Sequence, residues 1–137
     1  MNSSLLRRFG TALTALLIIF LLVDAGMKIY GAQVSMEVTE QLGFGESQVH
    51  LIGWLLLIPT LLYTFRRTAV LGAILITGYL GGAIAIHLQH NAPLFTHILF
   101  GVYLGILAWA ALVLRIPELR QLLGLGRGVP PTTSDLR

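Results

Sequence analysis

Residues 9–30 read FGTALTALLIIFLLVDAGMKIY, and this stretch decides the fold. Its only charged side chains are Asp24 and Lys28, and apolar or small residues fill almost all the other positions. Crossing the hydrocarbon core of a bilayer, which is about 30 Å thick, takes roughly 20 apolar residues in a helix. The stretch is therefore long and apolar enough to predict a membrane-spanning helix.

Three further apolar runs follow it, at residues 50–65, 69–88 and 95–114. Of the 137 residues, 55% are hydrophobic and 11% are charged, whereas soluble domains carry about 25% charged residues. The sequence predicts an all-α, polytopic membrane protein built as a four-transmembrane-helix bundle. We expect a single domain over residues 1–125 that ends in a short interfacial helix at 115–125, followed by a disordered cytoplasmic tail at 126–137.

Arginines mark one side of the predicted bundle. They precede the first span, join the second span to the third and follow the fourth: Arg7, Arg8, Arg66, Arg67, Arg115 and Arg120. The loops on the other side carry three glutamates and no Lys or Arg. Because cytoplasmic loops are enriched in Lys and Arg, both termini are predicted to be cytoplasmic. A cleaved signal peptide is the alternative for the first run, but the run is long for one.

Composition also excludes several classes of function. The chain has no Cys, which excludes disulfides, thiol chemistry and iron–sulfur clusters. Its net charge of +3 comes from scattered Lys and Arg rather than from a basic stripe, so nucleic acid is not an expected partner. The sequence contains no nucleophile motif and no phosphate-binding loop. We therefore expect no independent catalytic activity.

Asp24 and Lys28 are the two charged residues embedded in the first apolar run. They are four residues apart with the acid nearer the amino end, which is the favourable order for an ion pair on one helix face. At about 1.5 Å per residue from Phe9, Asp24 lies roughly 22 Å into the core. An unpaired charge there costs about 2 to 3 kcal/mol. The pair is therefore predicted to face the bundle interior, as a ligand anchor or as a static pair that fixes helix register.

Other titratable side chains gather at the same membrane level. His87 lies near the end of the third span with Tyr79 on its helical stripe, and His97 lies near the start of the fourth. His50 and His90 are also at this side, where a lone His is more typical of a solvated helix end. These positions predict one outer pocket lined by Asp24, Lys28, Tyr79, His87 and His97.

Three kinds of chemistry fit such a pocket. Asp, Lys and His side chains can hydrogen-bond a quinone carbonyl or relay protons. Imidazoles can also bind haem or a divalent metal, but no HxxxH or His-carboxylate spacing places two ligands on one helix, so no metal site is predicted. A coupled transporter is a third interpretation, and a chain of this length would have to dimerise for it.

Small residues predict close packing between helices. Gly78 and Gly82 on the third span, like Gly101 and Gly105 on the fourth, have the spacing that lets two helix backbones approach. Such glycines either pack the helices of one bundle or join two copies in a homodimer. The sequence leaves both interpretations open.

Four ordered segments carry a family resemblance: Asp24-Ala-Gly-Met-Lys28, Arg67-Thr-Ala-Val-Leu-Gly-Ala73, Thr77-Gly-Tyr-Leu-Gly-Gly-Ala-Ile-Ala-Ile-His87 and Asn91-Ala-Pro-Leu-Phe-Thr-His97. From about Leu16 to Leu119, the chain resembles the DoxX-like family, within the wider DoxD and DoxX group. The resemblance implies a four-helix, multi-pass protein of the bacterial inner membrane with both termini cytoplasmic. Relatives in the wider group are associated with quinone-linked sulfur oxidation, membrane oxidoreductase complexes or receptor assembly. The absence of Cys argues against direct sulfur chemistry here.

The leading hypothesis is an auxiliary subunit or binding protein that holds a quinone-like or hydrophobic small ligand in its outer-leaflet pocket, within a redox assembly. The alternatives are a chaperone-like partner in membrane assembly and a small dimeric transporter. Besides the lipid bilayer, the expected partners are a second copy of the chain and a membrane redox or assembly protein. No cofactor is firmly implied, and a quinone fits these residues better than haem or a divalent metal.

Overall fold

The computed structural model describes residues 3–125, and the tail predicted at 126–137 lies outside the described residues. Six α-helices make up most of this part of the chain: α1 Ser3–Ile29, α2 Gln33–Gln41, α3 Glu46–Thr64, α4 Ala69–Gln89, α5 Leu99–Arg115 and α6 Pro117–Leu122. A π-helical segment, Leu94–Ile98, leads directly into α5. No β-strand occurs between residues 3 and 125. The predicted all-α class is confirmed.

Four helical stretches are long and apolar enough to cross a membrane: α1, α3, α4 and the continuous stretch Leu94–Arg115. Two of them begin earlier than hydropathy suggests. α1 begins at Ser3, so its first turns carry Arg7 and Arg8, and α3 begins at Glu46. The start of α3 is set by its cap rather than by hydropathy, because the Gln48 side chain accepts a 2.8 Å hydrogen bond from the Gly45 N–H.

The four long helices form a ring in chain order. α1 packs against α3 and α5, and α4 packs against the same two helices. In the described part of the chain, the diagonal pairs α1–α4 and α3–α5 make no close backbone contact. Leu, Ile and Ala side chains dominate the buried core, among them Leu17, Leu56, Ile76 and Leu112. The diagonal between α1 and α4 is therefore where a cavity can form without separating neighbouring helices.

Glycine residues allow α3 and α4, and likewise α1 and α5, to pack closely. Gly72 of α4 faces α3, and a Cβ atom there would lie closer to the backbone N of Tyr63 than non-bonded atoms approach. Gly10 of α1 faces α5, where a Cβ atom would meet Leu114 Cβ at 2.7 Å. Small residues of this kind let membrane helices gain van der Waals contact where lipid removes the hydrophobic driving force. The α3–α4 and α1–α5 crossings therefore depend on the absence of a side chain.

Hydrogen bonds connect the helices of the ring. The fully buried Tyr63 spans the α3–α5 diagonal, because its hydroxyl donates a 2.7 Å hydrogen bond to the Ala108 carbonyl oxygen. The Tyr63 carbonyl accepts a 3.2 Å bond from the Arg115 guanidinium. Trp109 donates a 2.9 Å bond to the Thr77 hydroxyl and so joins α5 to α4. These bonds pair polar groups of neighbouring and diagonal helices within the bundle, where lipid offers no alternative partners.

The arginine end is the end of the bundle that holds Arg7, Arg8, Arg66, Arg67, Arg115 and Arg120. Here α6 packs against α5 and buries Leu119. At the surface, Arg66 donates hydrogen bonds of 2.9 and 3.1 Å to the two carboxylate oxygens of Glu118. Arg120 donates to the carbonyl oxygens of Val113 and Leu114 near the end of α5. A hydrogen bond from the backbone of Glu118, together with the charge of Arg66, holds the pKa of Glu118 below its usual range.

α2 lies in the segment that connects α1 to α3, which hydropathy suggests is a loop. It packs against both of those helices and buries Ser35 and Thr39. The Thr39 hydroxyl donates a 2.7 Å hydrogen bond to the Ser35 carbonyl oxygen, so this buried hydroxyl is satisfied within α2. α2 therefore covers the end of the bundle opposite the arginine end.

Candidate ligand-binding cavity

A half-open cavity of about 620 Å³ lies between α1 and α4, towards the end of the bundle that α2 covers. α3, α5 and α2 supply its remaining walls. Most of the lining is apolar, and Phe20, Leu56 and Leu104 are among the apolar residues that form it. Pockets that hold drug-sized ligands have volumes of about 300 to 1,000 Å³. The cavity has the size and the apolar character of a small-molecule site.

All five side chains that the sequence predicts for one pocket border this cavity: Asp24, Lys28, Tyr79, His87 and His97. Asp24 and Lys28 come from α1, Tyr79 and His87 from α4, and His97 from the π-helical segment. The half-buried Tyr79 lies about two helical turns before His87 along α4. The fold thus brings together residues that are up to 73 positions apart in the sequence. That they bind a ligand stays a prediction.

The Asp24 and Lys28 side chains form an ion pair on the cavity wall. Lys28 Nζ donates a 2.5 Å hydrogen bond to Asp24 Oδ1, and the side chains are 14% and 30% exposed for Lys28 and Asp24 respectively. Gly53 of α3 leaves room for this arrangement, because a Cβ atom there would meet Lys28 Cβ at 3.0 Å. The pair brings polar groups into the cavity without adding net charge to it.

His87 and His97 face each other on the cavity wall. Their ring centroids are 5.5 Å apart and their planes meet at 60°, an edge-on arrangement. The Thr96 hydroxyl lies 2.8 Å from His97 Nδ1, within hydrogen-bond distance. Segments of π-helix inside α-helices are often found at functional sites, and here one carries His97.

The two nitrogens of the His87 ring have different surroundings. Nδ1 is buried and has no hydrogen-bond partner among residues 3–125. A buried N–H without an acceptor is less well tolerated than a buried acceptor without a donor. This favours the tautomer whose proton is on Nε2 and whose lone pair is on Nδ1. In that state His87 can donate one hydrogen bond, through Nε2.

The other two histidines at this end, His50 and His90, form hydrogen bonds with backbone carbonyl oxygens near the ends of helices. His50 Nδ1 donates a 2.8 Å hydrogen bond to the Ile29 carbonyl oxygen and so satisfies the last turn of α1 from α3. His90 Nδ1 donates to the Ile86 carbonyl oxygen, 2.9 Å away, within its own helix. Neither residue borders the cavity.

Residues of α2 also border the cavity, and the sequence analysis did not assign them to it. Ser35, Val38 and Thr39 of α2 border it, together with Leu42 directly after the helix. The signal that could have identified them is their spacing of three and four residues, which repeats with the period of one helix face. A helix of nine residues with two glutamates is too short and polar for a hydropathy search to find.

The four glycines considered for a homodimer have different surroundings. Gly101 packs within the chain, where its Cβ position lies 2.8 Å from Ile84 of α4. The Cβ position of Gly105 lies 3.8 Å from Leu80. Gly78 and Gly82 border the cavity, and nothing lies within 4 Å of their Cβ positions. A homodimer through these glycines stays a prediction.

The donor set at the cavity suits hydrogen bonding rather than metal ligation. Within residues 3–125, no three His, Cys, Asp or Glu side chains are grouped so that they could hold a metal ion. The donors that do converge are an amine already paired with a carboxylate, a phenol and two imidazoles. Such groups can orient an uncharged polar molecule.

Four helices that are long and apolar enough to cross a membrane surround a largely apolar cavity. This arrangement defines a multi-pass membrane protein in contact with the lipid bilayer. The family model of the DoxX-like family matches residues 12–111, which is well over half of the chain. The chain belongs to the DoxX-like family. No curated protein and no solved structure matches the chain significantly.

Proposed function

We propose that the protein is an auxiliary, non-catalytic subunit of a redox assembly in the bacterial inner membrane, and that its cavity binds a small quinone-like ligand. The observation that carries this proposal is the cavity itself. It is apolar over most of its lining, and a small number of polar side chains border it, among them Asp24, Lys28, Tyr79, His87 and His97. A ligand with an apolar body and a hydrogen-bonding head group matches this lining.

The charges around the cavity favour an uncharged ligand. Lys28 is neutralised by Asp24, so no free cation inside the cavity attracts an anion. Glu37 and Glu40 of α2 and Glu46 of α3 add negative charge at the same end of the bundle. A carboxylate ligand would therefore be repelled, whereas a carbonyl can accept a hydrogen bond from His87 Nε2.

The dimensions of the cavity limit the size of the ligand. Phe20, an apolar residue that borders the cavity, lies one helical turn from Asp24, or about 6 Å along α1. This distance accommodates a substituted ring. A long isoprenoid chain would have to leave through the open side of the cavity.

The binding test uses the full-length protein in lipid nanodiscs and a decyl-substituted benzoquinone as the probe, with bound quinone counted by native mass spectrometry. We expect His87→Ala to weaken binding about tenfold, because one hydrogen bond in a desolvated site contributes about 1.4 kcal/mol.

The matched control is His90→Ala, which removes a histidine from the same helix end outside the cavity and should leave binding unchanged. Failure of the wild-type protein to bind the quinone, or equal weakening by both variants, would contradict the proposal. A stoichiometric partner protein that co-purifies equally with the wild type and with Asp24→Asn, while no quinone binds, would favour the membrane-assembly role instead.

The proposal includes an orientation, with the arginine end in the cytoplasm and the cavity near the outer leaflet. Because the chain has no Cys, single cysteines can report it without background. Ser47 is exposed in the first turn of α3, at the end of the bundle that α2 covers, and Ser4 is exposed at the other end. In intact cells, a membrane-impermeant maleimide should label Ser47→Cys and not Ser4→Cys. The reverse pattern would contradict the orientation and leave the binding proposal to be tested separately.

A further inference from the structure

The two ends of the bundle differ sharply in charge. All six arginines within residues 3–125 lie at the arginine end, and Glu118 is the only acidic residue of that range beside them. The side chain of Arg66 is paired with Glu118. Those of Arg115 and Arg120 are directed to backbone carbonyl oxygens.

Three arginines are left without such partners. Arg7, Arg8 and Arg67 are exposed, and none of them forms an ion pair with any residue between 3 and 125. Arg7 and Arg8 lie in the first turns of α1, and Arg67 lies in the turn between α3 and α4. We call these three residues the unpaired arginines.

The helix contacts place the unpaired arginines at one level of the bundle. The Cβ position of Gly10 lies 2.9 Å from the backbone N of Arg115. The Arg115 guanidinium in turn bonds to the Tyr63 carbonyl oxygen at 3.2 Å. The start of α1, the end of α5 and the end of α3 therefore meet at this level. Arg8 lies two residues before Gly10, and Arg67 lies four residues after Tyr63.

Exposed aromatic rings lie next to these arginines. Phe9 follows Arg8 and is 61% exposed, and Phe65 lies two residues before Arg67 and is 65% exposed. Phenylalanine rings exposed on a membrane-spanning helix lie in the hydrocarbon core, and arginines close to them in sequence extend their guanidinium groups to the head groups. The level of the unpaired arginines is therefore that of lipid phosphates.

We propose that the unpaired arginines bind the head groups of anionic phospholipids. A guanidinium donates two parallel hydrogen bonds to phosphate oxygens, so arginine binds phosphate with more geometric specificity than lysine does. Three such groups at one level of the bundle can bind lipids with net negative charge. The site is separate from the cavity and does not depend on a ligand there.

The test uses the full-length protein in nanodiscs that contain equal amounts of phosphatidylglycerol and phosphatidylcholine with the same acyl chains. Native mass spectrometry then counts the lipids of each kind that stay bound after the nanodisc is removed. The wild type should retain phosphatidylglycerol in preference to phosphatidylcholine. Arg67→Gln should lower that preference about fivefold, and the triple variant Arg7→Gln/Arg8→Gln/Arg67→Gln should lower it on the order of a hundredfold, or to no preference.

Two controls make the result specific to this site. Glu37→Gln/Glu40→Gln changes charge at the opposite end and should leave the lipid preference unchanged. Replacing the three arginines by Lys keeps the charge and should retain most of it. The proposal is overturned if the wild type shows no preference for phosphatidylglycerol, or if both Gln variants keep it. Displacement of the retained lipid by millimolar inorganic phosphate would reassign the site to a soluble anion and would overturn it too.

Discussion

Lys28→Met is expected to lower the free energy of unfolding by about 2 kcal/mol, because it leaves the Asp24 carboxylate unpaired in an apolar setting. The methionine keeps most of the length and packing of the lysine side chain, so the loss reports the charge. Asp24→Asn should cost less, since Lys28 lies further along α1 towards the end of the helix and its ammonium can extend towards the interface. Equilibrium unfolding in mixed detergent micelles measures both variants.

The double variant Asp24→Asn/Lys28→Met completes a thermodynamic cycle. If the two side chains act as a pair, the double variant should be more stable than Lys28→Met alone, because no unpaired charge remains. Losses that simply add would mean that the two groups are independent. Such a result would contradict the 2.5 Å hydrogen bond between them.

The positions of charged residues and the spacing of apolar residues were the basis for predicting the four spans and the five cavity residues from the sequence. The apolar runs led to the four spans, because the bilayer sets the length of a helix that crosses it. The five cavity residues could be grouped because an ionisable residue inside a membrane avoids lipid, and because helices of similar length place corresponding positions at one depth. Asp24 and His87 are thus brought together by topology alone, although they lie on helices that are not neighbours in the ring.

Features that depend on the third dimension were not predictable from these patterns. α2 is short, and its buried Ser35 and Thr39 are stabilised by packing on α1 and α3 rather than by their own hydropathy. The role of His50 depends on the carbonyl oxygen of Ile29, a partner 21 residues away that no spacing rule identifies. Gly72 is needed for one contact, with the backbone of Tyr63, whereas Gly81 in the same helix has nothing within 4 Å of its Cβ position.

Gly82→Leu is expected to weaken quinone binding at least about tenfold in affinity, while the protein stays folded. Gly82 borders the cavity between Tyr79 and His87 on α4, and a Cβ atom there has nothing within 4 Å. The four added carbon atoms can therefore enter the cavity without forcing the helices apart, and they take the space that the ligand would fill. Replacement of Gly by Leu also improves helix propensity, so the unfolding midpoint should not fall.

Gly81→Leu is the matched control, because the neighbouring glycine has equally open surroundings but borders the groove between α4 and α5 instead of the cavity. It makes the same chemical change in the same helix and should leave quinone binding intact. Equal loss of binding in the two variants would point to an effect on the whole helix and would contradict the assignment of the cavity as the site.

The same pair of variants also tests the predicted homodimer. If Gly82→Leu converts a dimer into a monomer and quinone binding persists, Gly82 contacts a second copy of the chain. If binding is lost with no change in mass, Gly82 acts within one chain, as a wall of the cavity.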